Sequence, residues 1–165
     1  MVRKISKSKL PKTSCITNFI TTTNYEDTYA VALQKPEISI ESIYLNIFAY
    51  SPQWITNLLE IRNKAVKPFG LKTDSKKLIK ENLKVGEKTG IFNIYAITGN
   101  EIVAGDNDAH LNYRVSVLKN DKTLTVSTLV QYNNWFGKGY FFIVKPFHKA
   151  VINSILKNAV TNNRI

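Results

Sequence analysis

The stretch between residues 91 and 132 constrains the fold most, because its pattern predicts four strands joined by short turns. Residues 91–98 and 101–105 flank Gly99-Asn100, a pair typical of a two-residue hairpin turn. Residues 110–118 and 123–132 flank a second turn, with Asn120-Asp121 at its tip. Connections this short join antiparallel neighbours. The sequence therefore predicts an antiparallel meander as the centre of the fold.

One strand and two helices are predicted before the meander. Residues 24–33 alternate apolar and polar side chains, as a half-buried strand does. Residues 39–49 place their apolar side chains on one helical face. A second helix is predicted to begin at Ser51 and Pro52, which suit an N-cap and a first turn, and to end before Gly70. The lysine-rich connector that follows is predicted to hold at most a short helix, at residues 75–83.

A turn, a last strand and a long helix are predicted after residue 132. The turn contains Asn133, Asn134, Gly137 and Gly139, and the strand occupies residues 140–145. Pro146 then opens a helix to about residue 160. The complete pattern predicts an α+β domain with a curled antiparallel sheet of about five to seven strands. The C-terminal helix would lie across that sheet.

Positive charge is concentrated at the two ends of the chain. The formal net charge is +11. Residues 1–24 and residues 122–165 contain Lys and Arg but no acidic residue, whereas bases and acids balance between them. Such ends attract nucleic acid, anionic lipid or acidic ligands, or they serve as a solubilising surface. We interpret residues 1–24 as a basic arm and residues 25–165 as one domain.

Cysteine content and hydrophobic run lengths predict a cytoplasmic protein. Cys15 is the single cysteine, so no internal disulfide and no CxxC site is possible. The basic N-terminus is not followed by an apolar stretch of signal-peptide length, and no run approaches the length of a transmembrane helix. We expect no cofactor, and the oligomeric state stays open.

Asp106, Asp108 and His110 are the strongest candidates for a polar site. In an extended segment their side chains would point to one side, and Arg114 would continue that row. Two carboxylates and an imidazole on one side could bind a metal or transfer a proton. The alternative, which we favour, is a structural ion pair of Arg114 with one of the aspartates at a polar turn; we therefore assign no metal.

Several aromatic and polar residues are candidates for lining a pocket. Arg62 lies on the apolar side of the second helix and could anchor an acidic group or extend to solvent. Each aromatic residue could equally belong to an ordinary core. The candidate ligand-binding set is Trp54, Arg62, Tyr113, Trp135, Tyr140, Phe142 and His148.

The order and spacing of local motifs resemble a known superfamily. The motifs are Pro52-Gln53-Trp54, Phe69-Gly70-Leu71, the segment from Gly105 to Leu111, Gly139-Tyr140-Phe141 and Pro146-Phe147-His148. Together with the element order, they resemble an uncharacterised bacterial branch of the START and birch-pollen-allergen (SRPBCC, helix-grip) superfamily. The resemblance covers about residues 25–160. It implies a hydrophobic cavity between the sheet and the C-terminal helix, and it carries over no catalytic residue.

These features predict a module that binds a small hydrophobic or amphipathic molecule. The first alternative is an enzyme of the same architecture that uses Asp106, Asp108 or His110 for proton transfer. The second is electrostatic binding of nucleic acid or a membrane surface by the basic ends. Common nucleotide-binding, zinc-protease and serine-hydrolase motifs are absent from the sequence.

Overall fold

The computed structural model describes residues 4–70 and 82–165. In these two ranges, seven strands form one antiparallel sheet in the order β1-β2-β7-β6-β5-β4-β3. The sheet is open, with β1 and β3 at its two edges. The strands are β1 (Ser6–Lys7), β2 (Tyr25–Ala32), β3 (Lys88–Thr89), β4 (Phe92–Ile97), β5 (Glu101–Asn107), β6 (Leu111–Asn120) and β7 (Thr123–Tyr132).

The predicted meander is confirmed. The amide of Thr98 donates to the carbonyl of Glu101 at 2.8 Å and closes the β4–β5 hairpin at Gly99-Asn100. The β6–β7 hairpin turns at Asp121, whose φ of 48° lies in the left-handed region that Asp tolerates better than most residues. In sequence order β7 follows β6, yet it also pairs with β2. The first long strand thus lies beside the last.

Two helices follow β2, as predicted. Helix α1 (Ile40–Phe48) begins at Ser39, whose hydroxyl accepts from the amide of Ser42 at 3.2 Å. Helix α2 (Gln53–Val66) has Pro52 at its N-cap position. The expected cap at Ser51 is wrong, because its hydroxyl donates back to the carbonyl of Phe48. The predicted short helix at 75–83 falls almost entirely on residues 71–81, which lie outside the described residues.

Helix α3 (Trp135–Thr161) corrects the prediction for the end of the chain. The expected turn with Gly137 and Gly139 and the expected strand at 140–145 are both helical, and Pro146 lies inside the helix. Asn134 caps the helix by accepting from the amide of Gly137 at 2.9 Å. A short apolar run is compatible with either a strand or a buried helical turn, so its pattern alone could not decide.

Both faces of the sheet are covered. Helices α1 and α3 pack on one face, which we call the helix face; Ile43, Tyr44 and Leu156 lie fully buried there. The N-terminal segment packs on the other face, where Ile16 is buried with Val103 and Leu129. Leu10, Cys15, Phe19 and Ile20 pack around Ile16, so this part of the basic arm lies against the sheet.

Candidate functional site

Helices α2 and α3 face each other above one end of the sheet, and Arg62 joins them. Its Nε donates to the hydroxyl of Tyr140 at 2.9 Å. Its Nη1 also donates to Asn63 Oδ1 at 2.9 Å. Arg62, Asn63 and Tyr140 are all half-buried. The guanidinium therefore bridges the two helices, and we call this α2–α3 junction the cleft.

Tyr113 lies on the helix face near this cleft. Its hydroxyl donates to the carbonyl of Ile91 at 3.0 Å. Desolvation raises the pKa of the Tyr113 phenol, the negative charge of Asp106 raises it further, and the positive charge of Arg62 opposes both. These effects require Arg62, Asp106 and Tyr113 to be near one another, since such interactions weaken with distance.

Tyr44 contributes a buried hydroxyl to the same neighbourhood. The side chain is fully buried in α1. Desolvation raises its pKa, and the second cause is Tyr113, which is thus a common neighbour of Tyr44 and Arg62. In the described part of the chain, no group forms a hydrogen bond with the Tyr44 hydroxyl. A buried hydroxyl without a partner is rare, because its desolvation is then uncompensated.

Asp106 and Arg114 lie on opposite faces of the sheet, so the predicted single row of polar side chains is wrong. Asp106 is directly opposite Tyr113 across β5 and β6, and Arg114 is directly opposite Gly105. Directly opposite residues share a face. The chain reverses between 107 and 111, where the amide of Asp108 donates to the carbonyl of Leu111 at 3.0 Å. The i, i+2 rule does not extend across such a turn.

Each of the predicted polar residues makes local contacts. Asp106 Oδ1 accepts from Asn93 Nδ2 and from the amide of Asn107, both at 2.8 Å. Asp108 Oδ1 accepts from the amide of Ala109 at 2.6 Å. These contacts join no two of the three predicted acid–base residues. Among the described residues, no group of three or more His, Cys, Asp or Glu side chains is arranged to hold a metal ion.

Arg114 is buried on the face opposite the helices. Its guanidinium lies 3.9 Å from the centroid of the Tyr95 ring. It donates to Asn107 Oδ1 at 2.7 Å and to the backbone carbonyl of Asp106 at 3.1 Å. Desolvation lowers the pKa of Arg114. Gly105 is required beside it, because an added Cβ would overlap the carbonyl oxygen of Tyr113. These contacts favour a structural role for Arg114.

His110 connects three segments at the start of α3. Its Nε2 lies 3.1 Å from the carbonyl oxygen of Phe69, so this nitrogen carries the proton. Its Nδ1 lies 3.0 Å from Nδ2 of Asn134, the N-cap residue, and accepts from it. The imidazole therefore ties the turn after α2 to the β5–β6 turn and to the cap of α3.

His148 meets a buried carboxylate that the sequence analysis missed. Its Nε2 lies 3.4 Å from Oδ1 of Asp27, which is 3% exposed. The hydroxyl of Tyr25 donates to Asp27 Oδ2 at 3.0 Å. Desolvation and then the charge of Asp27 raise the pKa of Tyr25. A signal was present, since Asp27 occupies an inward position between Tyr25 and Tyr29 in the alternating strand.

The remaining aromatic candidates lie toward solvent. Trp54 is part of a groove of about 280 Å³ at the surface between the start of α2 and the end of α3. Trp135 and Phe142 are 84% and 80% exposed on the outer side of α3. The groove is open to solvent and differs from the enclosed cavity predicted beneath α3. Its lining residues are Pro52, Trp54, Ser154, Lys157, Asn158, Thr161 and Asn162.

The chain thus defines an α+β protein with an open antiparallel sheet, covered by helices on one face and by its N-terminal segment on the other. It belongs to the family described as "Protein of unknown function (DUF2867)", whose model matches residues 19–155. Comparison with curated proteins and with solved structures gave no match. Within residues 4–70 and 82–165, no helix combines the length and hydrophobicity needed to span a membrane.

Proposed function

We propose that this protein binds a small amphipathic molecule with an acidic group in the cleft bounded by α2, α3 and the helix face of the sheet. The observation that carries the proposal is the hydroxyl of Tyr44, which has no hydrogen-bond partner among the described residues and neighbours Tyr113 in the same region as Arg62. A ligand oxygen would supply the missing hydrogen bond to Tyr44. Arg62 and Tyr140 would hold the acidic group, because charge-assisted hydrogen bonds are the strongest available there.

The loose packing of α2 supports entry of a ligand. Only Ile55 and Val66 of this helix are buried, whereas Ile61 is 65% exposed. A helix held by so few apolar contacts opens at a low free-energy cost. The groove at Trp54 lies at the other end of the same helix pair. Movement of α2 would join this groove to the cleft at Arg62.

A helix-grip, START-like relationship is part of the proposal. The order of elements supports it: a first strand, two helices, a meander and a long C-terminal helix. Pairing of β2 with β7 also supports it, because it brings the first long strand beside the last. Under this proposal residues 25–165 form the ligand-binding domain. The ring of Phe92 contacts the rings of both Phe48 and Tyr113. These three side chains would line the apolar part of the pocket.

The proposal is tested by native mass spectrometry of protein purified from the expressing cells, followed by denaturation and extraction. A dansylated fatty acid then serves as a defined anionic amphiphile for titration. We expect Arg62→Gln to weaken its binding about tenfold to a hundredfold, the range expected for loss of a charged hydrogen bond. Lys64→Gln, on the exposed side of the same helix, is the matched control.

Two outcomes would contradict the proposal. One is the absence of both a co-purified molecule and probe binding. The other is equal binding by Arg62→Gln, Lys64→Gln and the unchanged protein. Circular dichroism of each variant establishes that α2 is retained before affinities are compared.

A further inference from the structure

The outer side of α3 carries a continuous apolar surface, which we call the α3 outer face. Successive helical residues are separated by about 100° around the axis. This spacing places the residues of the α3 outer face on the same side of the helix. Trp135 is 84% exposed, Phe142 80%, Ile143 67% and Phe147 51%. Large apolar side chains this exposed and contiguous indicate an interaction surface. The face comprises Trp135, Gly139, Phe142, Ile143, Pro146, Phe147 and Ala150.

A row of lysines accompanies this face. Lys138, Lys145 and Lys149 fall at i, i+7 and i+11, on one flank of the apolar residues. Residues 122–165 contain no acidic side chain to offset them. Lys145 Nζ lies 5.0 Å from the centroid of the Tyr25 ring, so this flank is on the β2 side of the sheet. Lys7 of β1 is directly opposite Tyr29 of β2 and is also on the helix side of the sheet.

We propose that the α3 outer face docks on an anionic phospholipid surface, with the first half of α3 lying in the plane of the membrane. The exposed aromatic and aliphatic side chains would enter the boundary between headgroups and acyl chains. The lysine row would remain at the level of the negatively charged headgroups. The combination of a tryptophan, exposed apolar residues and flanking lysines without acids is the pattern expected for such helices.

Charge complementarity favours lipid over a second copy of this chain. Packing two such faces together would bring lysine rows of the same sign into one interface, which opposes association. Single-stranded nucleic acid is a poorer match, since Ile143 and Pro146 at the centre of the face offer no aromatic ring on which a base could stack. An anionic membrane satisfies both the apolar residues and the lysines.

Flotation with vesicles of phosphatidylcholine containing phosphatidylserine tests the proposal, with pure phosphatidylcholine vesicles as the lipid control. We expect binding to the mixed vesicles that weakens as salt is raised. The double variant Phe142→Gln/Phe147→Gln should bind at least about tenfold less, because it removes two inserted rings. Ile61→Gln, which changes an exposed apolar residue of α2, should bind like the unchanged protein.

Fluorescence gives a second readout that a folding defect would not reproduce. The chain has two tryptophans, so Trp54→Phe leaves Trp135 as the single reporter. Its emission should shift to shorter wavelength with mixed vesicles and be quenched by brominated acyl chains.

Failure to bind the mixed vesicles would overturn the proposal, as would unchanged binding by the double variant. It would also be overturned by a dimer in sedimentation equilibrium that the double variant abolishes, or by single-stranded DNA binding that the double variant loses. The cleft proposal is tested separately, because Arg62→Gln should leave vesicle binding intact and the double variant should still bind the dansylated fatty acid.

Discussion

Single residues in this protein take their roles from the face of the sheet that they occupy. Asp106 and Arg114 are close in sequence, yet one contributes to the helix face and the other is stacked on Tyr95 on the opposite face. The desolvation cost of burying Arg114 is offset by hydrogen bonds to Asn107 and to backbone carbonyls. A polar sequence motif here therefore divides into a residue on the helix face and a buried residue on the opposite face.

Tyr44 provides a test at this scale. We expect Tyr44→Phe to leave the free energy of unfolding of the ligand-free protein unchanged or to raise it by about 1 kcal/mol, because it removes a buried hydroxyl that has no partner within residues 4–70 and 82–165. The same variant should bind the dansylated fatty acid more weakly. Urea denaturation and probe titration measure the two effects.

Tyr25→Phe is the matched control for this test. The Tyr25 hydroxyl donates to Asp27 Oδ2 at 3.0 Å, so its removal should cost about 1 kcal/mol. A loss of stability in Tyr44→Phe equal to that in Tyr25→Phe would show that the Tyr44 hydroxyl does have a partner.

Among the elements, the start of α3 depends on a close backbone approach. Gly137 lies in the first turn of this helix, and an added Cβ would overlap the carbonyl oxygen of His110. The β5–β6 turn can rest on the helix only because Gly137 has no side chain. The contacts of His110 with Phe69 and Asn134 complete the junction.

The two helical glycines of α3 should respond oppositely to alanine. Gly137→Ala should lower the free energy of unfolding by about 2 kcal/mol or more, since backbone must shift to relieve the overlap. Gly139→Ala should raise it by roughly 0.5–1 kcal/mol, because nothing lies near its added Cβ and alanine favours the helix. Thermal or urea unfolding of both variants measures the difference, and equal effects would contradict the close approach.

At the scale of the whole molecule, covering both sheet faces removes several phenols and a thiol from water. Desolvation is the largest cause that raises the pKa values of Tyr25, Tyr44 and Tyr113. Burial also raises the pKa of Cys15 to about 11, and its neighbour Glu101 adds to the shift. Glu101 is itself held beneath the N-terminal segment, where it accepts from the hydroxyl of Ser116 and the amide of Cys15.

These shifts predict instability in alkali. Each group is protonated in the folded protein at a pH where the unfolded chain has lost the proton. Their contribution to stability is therefore complete below the ordinary pKa, near 9.0 for Cys15 and 10.0 for the tyrosines. It is lost as the pH rises toward the folded values, by up to about 1.4 kcal/mol per pH unit for the fully buried Tyr44 and by less for Cys15 and Tyr25, which solvent partly screens.

Urea unfolding between about pH 8 and about pH 11 measures this loss. Tyr44→Phe should make the free energy of unfolding fall less steeply with pH, because one tyrosine no longer contributes. Cys15→Ser should move the start of the fall to higher pH, because the group with the lowest ordinary pKa is removed. A stability that stays constant above about pH 10 would contradict the desolvation of these groups.

The sequence by itself determined the α+β class, the meander of β4 to β7 and helix α1, because alternation, helical periodicity and turn residues are local signals. Membership of Trp54, Arg62 and Tyr113 in a binding site stays a prediction from sequence, which the cleft proposal now makes testable. Asp27 was visible as an acid in an inward row, but its partner His148 is distant in sequence.

Only the tertiary structure decided the rest. The run at 140–145 is helical because Asn134 caps the helix, Gly137 admits the neighbouring turn and Phe141 packs on Leu111 and Val130. The N-terminal segment is packed because the second face of the sheet offers apolar contacts to Ile16. Local sequence carries no information about which distant backbone approaches a glycine or which face of the sheet a segment covers. The contacts of Gly137 with His110 and of Ile16 with the sheet therefore decide where α3 begins and how each face of the sheet is covered.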